Sequence, residues 1–133
     1  MSSPSRTLRF LVVEDTEDIR AIVTWMIRRQ GHEVEEAADG LEAVEILGHS
    51  DIDIMLLDLS MPRMSGEDVV RWMRAHPEAH SEPLVVVISA WAGDRRADLA
   101  ELGVQHVLSK PLRRHHLDEL VELGLRYRSR PGV

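Results

Sequence analysis

Hydrophobic positions fall along this chain in short apolar runs separated by segments of helical period. Four runs close on a polar group: Leu11-Val12-Val13 on Glu14-Asp15, Ile54-Met55-Leu56-Leu57 on Asp58, Val85-Val86-Val87-Ile88 on Ser89, and Val107-Leu108-Ser109 on Lys110-Pro111. Short apolar runs of this kind predict strands buried on both faces. Strands are expected at 9–13, 52–57, 84–89 and 106–109, with a weaker one, Glu33-Val34-Glu35-Glu36-Ala37, nearer an edge.

Between the runs the period changes to that of a helix. Ile19, Ile22, Val23, Met26 and Ile27 recur at i, i+3, i+4, i+7 and i+8 and predict an inward stripe that Gly31 terminates. Asp39 is placed to cap a short helix carrying Leu41, Val44 and Leu47. A third helix is predicted at 67–75, with Val69, Val70 and Met73 inward and Pro77 as its stop. The fourth, 94–102, is the least apolar, with Ala97, Leu99 and Leu102 inward, and the last, 113–128, buries Leu117, Leu120, Val121 and Leu125. Strands alternating with helices imply an α/β domain with a parallel sheet covered on both faces.

Bulk properties narrow the class further. At 133 residues the chain is one domain by size. A net charge of −7 argues against nonspecific binding to nucleic acid or anionic membrane. The absence of cysteine excludes disulfides and thiolate metal sites. No apolar segment has the length of a signal peptide or the ~20 residues of a membrane span, so a cytoplasmic protein is expected.

The polar strand ends carry the candidate chemistry. If the runs are parallel strands of one sheet, Glu14, Asp15, Asp58, Ser89 and Lys110 meet at its carboxyl edge, where open α/β sheets bind ligands. Clustered carboxylates repel, and a small hard cation such as Mg²⁺ relieves that repulsion with one or two carboxylates, waters and phosphate oxygens. A carboxylate nucleophile, a hydroxyl and an ammonium beside such a cation are the parts that phosphoryl transfer requires.

The segments VVEDTEDIR (12–20), LLDLSMPRMSG (56–66), VISA (87–90) and LSKPL (108–112), in this order, resemble those of a response-regulator receiver domain, the chemotaxis-regulator-like module of two-component phosphorelays. The resemblance implies a flavodoxin-like (βα)₅ fold, doubly wound around a five-stranded parallel sheet of order 2-1-3-4-5. It implies a receiver domain over 7–128, with flexible tails at 1–6 and 129–133. By the same resemblance Asp58 accepts a phosphoryl group from a histidine kinase or a histidine phosphotransfer protein. Asp15 is the main ligand of Mg²⁺ (or Mn²⁺), Glu14 assists through water, and Asp58 and the backbone carbonyl of Ser60 complete the protein's share. Ser89 is the switch hydroxyl, and Lys110 binds a phosphoryl oxygen. The module is not an enzyme beyond its own phosphotransfer and autodephosphorylation. It is expected as a monomer or weak dimer signalling to an unidentified protein target through the face around helix four, strand five and helix five, without nucleic acid or membrane.

The chain departs from the family pattern at the position three before the lysine, where the usual aromatic is Val107. A short, stiff valine does not report by ring rotation, which separates the readout of this chain from the usual one. Trp91, two residues past Ser89, is placed to shade an acyl phosphate from water, whereas the small Ser60 leaves water room; the two act oppositely on its lifetime.

Blander readings stand beside these. Taken singly, Asp58 would be a turn residue, Glu14-Asp15 a helix cap and Ser89 a turn cap; the four segments together favour the site. His115-His116 with Arg113-Arg114 read as a solvated helix start, Met61 and Met64 as loop packing, and Trp25 and Trp72 as packing between helices. The rival function is an aspartyl-phosphate hydrolase of the haloacid-dehalogenase-like class. That class places a second Asp two residues after its nucleophile, where this chain has Ser60, and the chain offers no cap domain. A dinucleotide-binding Rossmann domain is weaker, because Glu14-Asp15-Thr16-Glu17-Asp18 stands where a glycine-rich loop is needed. A variant of the favoured reading is a receiver excised from a hybrid kinase or larger regulator.

Overall fold

In the computed structural model, which describes residues 6–59, 61, 63–90 and 92–129, every apolar run forms a strand and every helical segment a helix. The order is β1 (Arg9–Val13), α1 (Glu17–Arg29), β2 (Glu33–Ala37), α2 (Gly40–Leu47), β3 (Ile54–Asp58), α3 (Gly66–Ala75), a 3₁₀ turn (Pro77–Ala79), β4 (Leu84–Ser89), α4 (Ala92–Glu101), β5 (His106–Ser109) and α5 (Arg114–Arg128). The five strands lie in the order β2-β1-β3-β4-β5, and all four pairings are parallel. The sheet is therefore the doubly wound one that the sequence resemblance implied. The charged strand β2 takes one edge, where one row of backbone groups faces no partner strand.

Strand alternation divides the core into two layers. Phe10, Val12, Ile54, Leu56, Val86 and Ile88 meet Val23, Ile27, Leu117 and Leu120 of α1 and α5. Leu11, Val13, Met55, Leu57, Val85 and Val87 face the other way, onto Leu47, Val69, Met73 and Leu99 of α2, α3 and α4. Both faces of β1, β3 and β4 are thus covered, and their uninterrupted apolar runs follow from that. Among the described residues no helix is long and apolar enough to cross a membrane.

Several helical faces differ from the periodicity reading. Ile19 and Ile22 of α1 are exposed at 39% and 60%, and the buried positions are Val23, Thr24 and Ile27. An apolar stripe wider than the contact with the sheet cannot say which half is covered. Thr24 enters the core because its hydroxyl donates to Ala21 O at 3.0 Å, which removes its need for water. In α2 the covered positions are Gly40, Ala43 and Leu47, while Leu41 is exposed. α4 runs from Ala92 to Glu101 rather than 94–102; on it Leu99 is buried and Ala97 exposed, and Leu102, just past its end, is half-buried. β3 starts at Ile54, with Ile52 buried just ahead of it. Trp25, read as packing, is 61% exposed with the Arg29 guanidinium 5.5 Å from its ring centroid. Trp72 does pack, half-buried against the α2–α4 layer and stacked on His76. Gly31 (φ +88°) and Gly103 (φ +84°) stop α1 and α4 in the left-handed conformation. The tails expected at 1–6 and 129–133 lie outside the described residues except for Arg6 and Ser129.

His32 joins the start of β2 to the residue before β1. Its Nδ1 accepts a hydrogen bond from Leu8 N at 3.0 Å, so that nitrogen must be unprotonated. Burial first, and the nearby Arg128 charge second, lower its pKa from the usual 6.5. A histidine depressed in the folded state adds stability above pH 6.5 that is lost as pH falls through the folded value. The thermal midpoint is expected to fall between pH 7 and pH 5, and more steeply in the parent than in His32→Gln, as followed by circular dichroism. Identical slopes in the two proteins would remove His32 from the account.

Candidate functional site

The order of the strands places the ends of β1 and β3 side by side, and each delivers a carboxylate to the same rim. Glu14 follows β1 directly, its N–H still bonded to Ala37 O at 3.0 Å. Asp58 closes β3 opposite Ile88 of β4. Both are buried, at 5% and 6% exposure, whereas Asp15 is exposed at the mouth. One oxygen from each of Glu14, Asp15 and Asp58 lies within 4.8 Å of the others.

Such a grouping is costly without a counter-charge. Two carboxylates at 4.8 Å repel by about 3 kcal/mol at an effective dielectric of ~20. Lys110 offsets that repulsion: its Nζ stands 2.9 Å from Glu14 Oε1 and 3.4 Å from Asp58 Oδ2. It is the only lysine among 133 residues that include 15 arginines. A compact ammonium on a thin stem enters a gap between two carboxylates where a planar guanidinium does not. Partial burial pulls the Lys110 pKa down, but the hydrogen bond to Glu14 and the charges of Asp58 and Glu14 outweigh it and leave the pKa above the usual 10.5. Lys110 therefore stays an ammonium throughout its usual range, and what its charge contributes fades only as pH rises through the elevated value.

The surrounding backbone holds these groups in place. Lys110 N–H donates to Ser89 O at 3.1 Å, which joins the ends of β4 and β5 just past their ladder. Glu14 Oε2 accepts from Thr16 N at 3.2 Å, and Arg20 donates to Glu14 O at 2.8 Å and to Glu36 Oε1 at 3.3 Å. Gly66 at the start of α3 packs on the backbone of Asp58. A Cβ there would stand 2.4 Å from Asp58 O, so only glycine allows the approach. Behind the carboxylates lies a cavity of about 150 Å³ floored by Val12, Val23, Leu56 and Ile88.

The structure brings together Glu14, Asp15, Asp58 and Lys110, as the strand ends suggested. Ser89 is buried at the end of β4, one residue beyond the register partner of Asp58. Val107 is buried opposite Val87, in the layer that also holds Leu99, and its carbonyl accepts from Arg96 of α4 at 2.9 Å. Ser60 and Trp91 lie outside the described residues. Met61 and Met64 pack half-buried against the α2–α4 layer, and His116 Nδ1 accepts from Arg113 N at 3.1 Å, a helix start as expected.

Three contributions escaped the sequence reading. Arg20 anchors the Glu14 backbone, Arg95 of α4 pairs with Glu67 of α3, and Arg63 pairs with Asp39. Asp39 does cap α2, accepting from Glu42 N at 2.9 Å. That backbone hydrogen bond, followed by the one from Arg63, lowers its carboxyl pKa below 3.8 and keeps it charged. Arg20 and Arg95 stand on helices and Arg63 in a loop, but a long polar side chain carries no periodic signal for its partner, so nothing in the pattern marked these pairs.

The donor set fits a hard divalent cation: three carboxylate oxygens, two of them fixed by burial, and no sulfur ligand. A cation there would share its carboxylates with the ammonium, which gives a direct test. Lys110→Met is expected to lower stability by about 1–3 kcal/mol. Added Mg²⁺ is expected to raise the thermal midpoint of the variant more than that of the parent. An Mg²⁺-insensitive midpoint in both proteins would count against a cation site.

Comparison with known proteins agrees with this arrangement. A family model described as the response regulator receiver domain matches residues 10–122. The chemotaxis protein CheY-3 of Vibrio cholerae is 29% identical over 119 residues, covering 89% of this chain and 92% of that protein. The receiver domain of the sensor histidine kinase PA1611 from Pseudomonas aeruginosa, solved with magnesium coordinated in its active-site cleft, superposes with a TM-score of 0.80 at 25% identity, covering 90% of this chain and 96% of that one. The response regulator TrrA of Thermotoga maritima, solved in complex with Mg²⁺-BeF, superposes with a TM-score of 0.77 at 25% identity over 89% and 99% of the two chains.

Proposed function

The chain belongs to the response regulator receiver domain family, and on that premise we propose that it is a phospho-acceptor switch whose Asp58 takes a phosphoryl group from a histidine kinase or histidine phosphotransfer protein. The observation that carries this reading is the contact of one ammonium, Lys110, with both Glu14 and Asp58 inside a cluster of three carboxylates. The magnesium in the PA1611 receiver and the Mg²⁺-BeF complex of TrrA support the same chemistry here.

Asp58 Oδ attacks phosphorus in line with the donor nitrogen; the O–P bond forms as the P–N bond breaks, and the imidazole leaving nitrogen takes up a proton. Glu14, Asp15, Asp58 and the Ser60 carbonyl would hold Mg²⁺ or Mn²⁺, which supplies charge neutralisation on the transferred group. Lys110 moves from its carboxylates to a phosphoryl oxygen, and the Ser89 hydroxyl takes another. Phosphorylation replaces one negative charge with roughly −1.5 to −2, and the rearrangement of Ser89 and Lys110 shifts the ends of β4 and β5.

Output passes from there through α4, β5 and α5 to a protein partner. Val107 has no ring to turn, so α4 senses the change through its own attachments, the Arg96 bond to Val107 O and the Arg95 pair with Glu67. The protein is a signalling module, monomeric or weakly dimeric and at work in the cytoplasm, with turnover confined to its own acyl phosphate. The hydrolase alternative remains the weaker one, since Ser60 occupies the position of that class's general acid.

Incubation with acetyl phosphate and Mg²⁺ is expected to add one phosphoryl group, seen by intact-mass analysis, and to add none without the cation or in Asp58→Asn. A label that survives in Asp58→Asn would assign the acceptor elsewhere.

A further inference from the structure

One ion pair links the segment after Asp58 to a helix that has no part in the carboxylate cluster. Arg63 Nε donates to Asp39 Oδ2 at 2.8 Å, and its Nη2 contacts the same oxygen. The Asp39 side chain is only 7% exposed, so the contact is anchored on the α2 side, although the arginine is 56% exposed. Glu42 Oε2 lies 3.9 Å from the same guanidinium. The neighbouring residue reinforces the attachment: a Cβ on Gly40 would stand 2.4 Å from Met64 O, so the chain at Met64 lies flush on the first turn of α2.

The backbone at Arg63 makes the pair more telling. Its φ is +68°, in the left-handed region that disfavours any residue with a Cβ. Glycine would hold this turn with less strain, and the arginine side chain offsets the strain only through the carboxylate it reaches. Three residues later Gly66 N–H donates to Leu59 O at 3.1 Å, and Gly66 presses on Asp58 O. The chain leaving Asp58 is thus fastened at two points, on α2 through Arg63 and Met64 and on its own start through Gly66.

We propose that the Arg63–Asp39 pair is a positioning device for the acidic site: by holding the turn at Arg63 and Met64 against α2, it orients the Asp58–Leu59 backbone and sets the affinity of the carboxylate cluster for a divalent cation. This deepens the phospho-acceptor reading and rests on it. The pair touches neither cation nor phosphoryl group. An ion pair with one exposed partner contributes little to global stability, and its effect is felt in the geometry next to Asp58.

The test is a calorimetric Mg²⁺ titration of the parent, Arg63→Gly, Arg63→Lys, Asp39→Ser and the double variant Arg63→Gly/Asp39→Ser. Serine keeps the cap of α2, and glycine removes the strain at residue 63, so neither variant attacks the fold directly. Arg63→Gly and Asp39→Ser are each expected to weaken Mg²⁺ binding about 10-fold, as loss of a supporting partner does at metal sites. The double variant is expected to be no weaker than either single one, and Arg63→Lys to regain part of the affinity. Labelling by acetyl phosphate should require more Mg²⁺ in the weakened variants yet reach the parental rate at saturation. Parental affinity in Arg63→Gly or Asp39→Ser, or losses that add in the double variant, overturn the proposal. A parent that takes up no Mg²⁺ overturns the cation site itself, a result distinct from equal affinities.

Discussion

Everything at the functional end of this molecule depends on keeping carboxylates together that repel one another. Parallel strands force the outcome, because β1 and β3 are hydrogen-bonded neighbours and their last residues share one rim. The sheet is built from apolar contacts on both faces, and it imposes the proximity of Glu14 and Asp58 whatever their charges prefer. Lys110, at the end of β5, makes that arrangement tolerable by contacting both. Such a cluster, balanced by a single ammonium, responds strongly to any ligand that changes the local charge. That responsiveness is what a phosphorylation switch needs.

The two layers of the core have different relations to this rim. On the α1–α5 side the layer ends in the small apolar cavity next to Glu14 and Asp58. On the other side the layer ends under α4, where Leu99 is the deeply buried side chain and arginines supply further attachment. Among its described residues α4 buries one leucine fully, and a helix with few buried apolar contacts shifts more readily than one held by a continuous apolar stripe. Val107, small and buried, packs in the same layer as Leu99.

Much of this was legible before any coordinates. Strands β1, β2, β4 and β5 have the bounds that their composition suggested, because a strand covered on both faces has to be apolar throughout. The placement of Asp58, the acid pair and the lysine was legible for a related reason, since a charged group directly after such a run can only stand at a sheet edge. Helical faces were less legible. Ile19 and Ile22 fit the inward period of α1 but flank the rim instead, and Leu41 of α2 faces solvent while Ala43 is covered. An apolar residue on a helix is permitted inside without being required there.

The amino-acid sequence by itself determined which segments are strands, which polar groups end them and, through the order of its motifs, the family to which the chain belongs. Those properties are local in the chain: period, run length and the residue that follows. Only the tertiary structure decided that Lys110 reaches Glu14 as well as Asp58, that Arg20 braces Glu14, and that Arg63 leaves its turn for Asp39. Long polar side chains have many rotamers and no periodicity, so their partners are chosen by what the packed sheet and helices bring within reach.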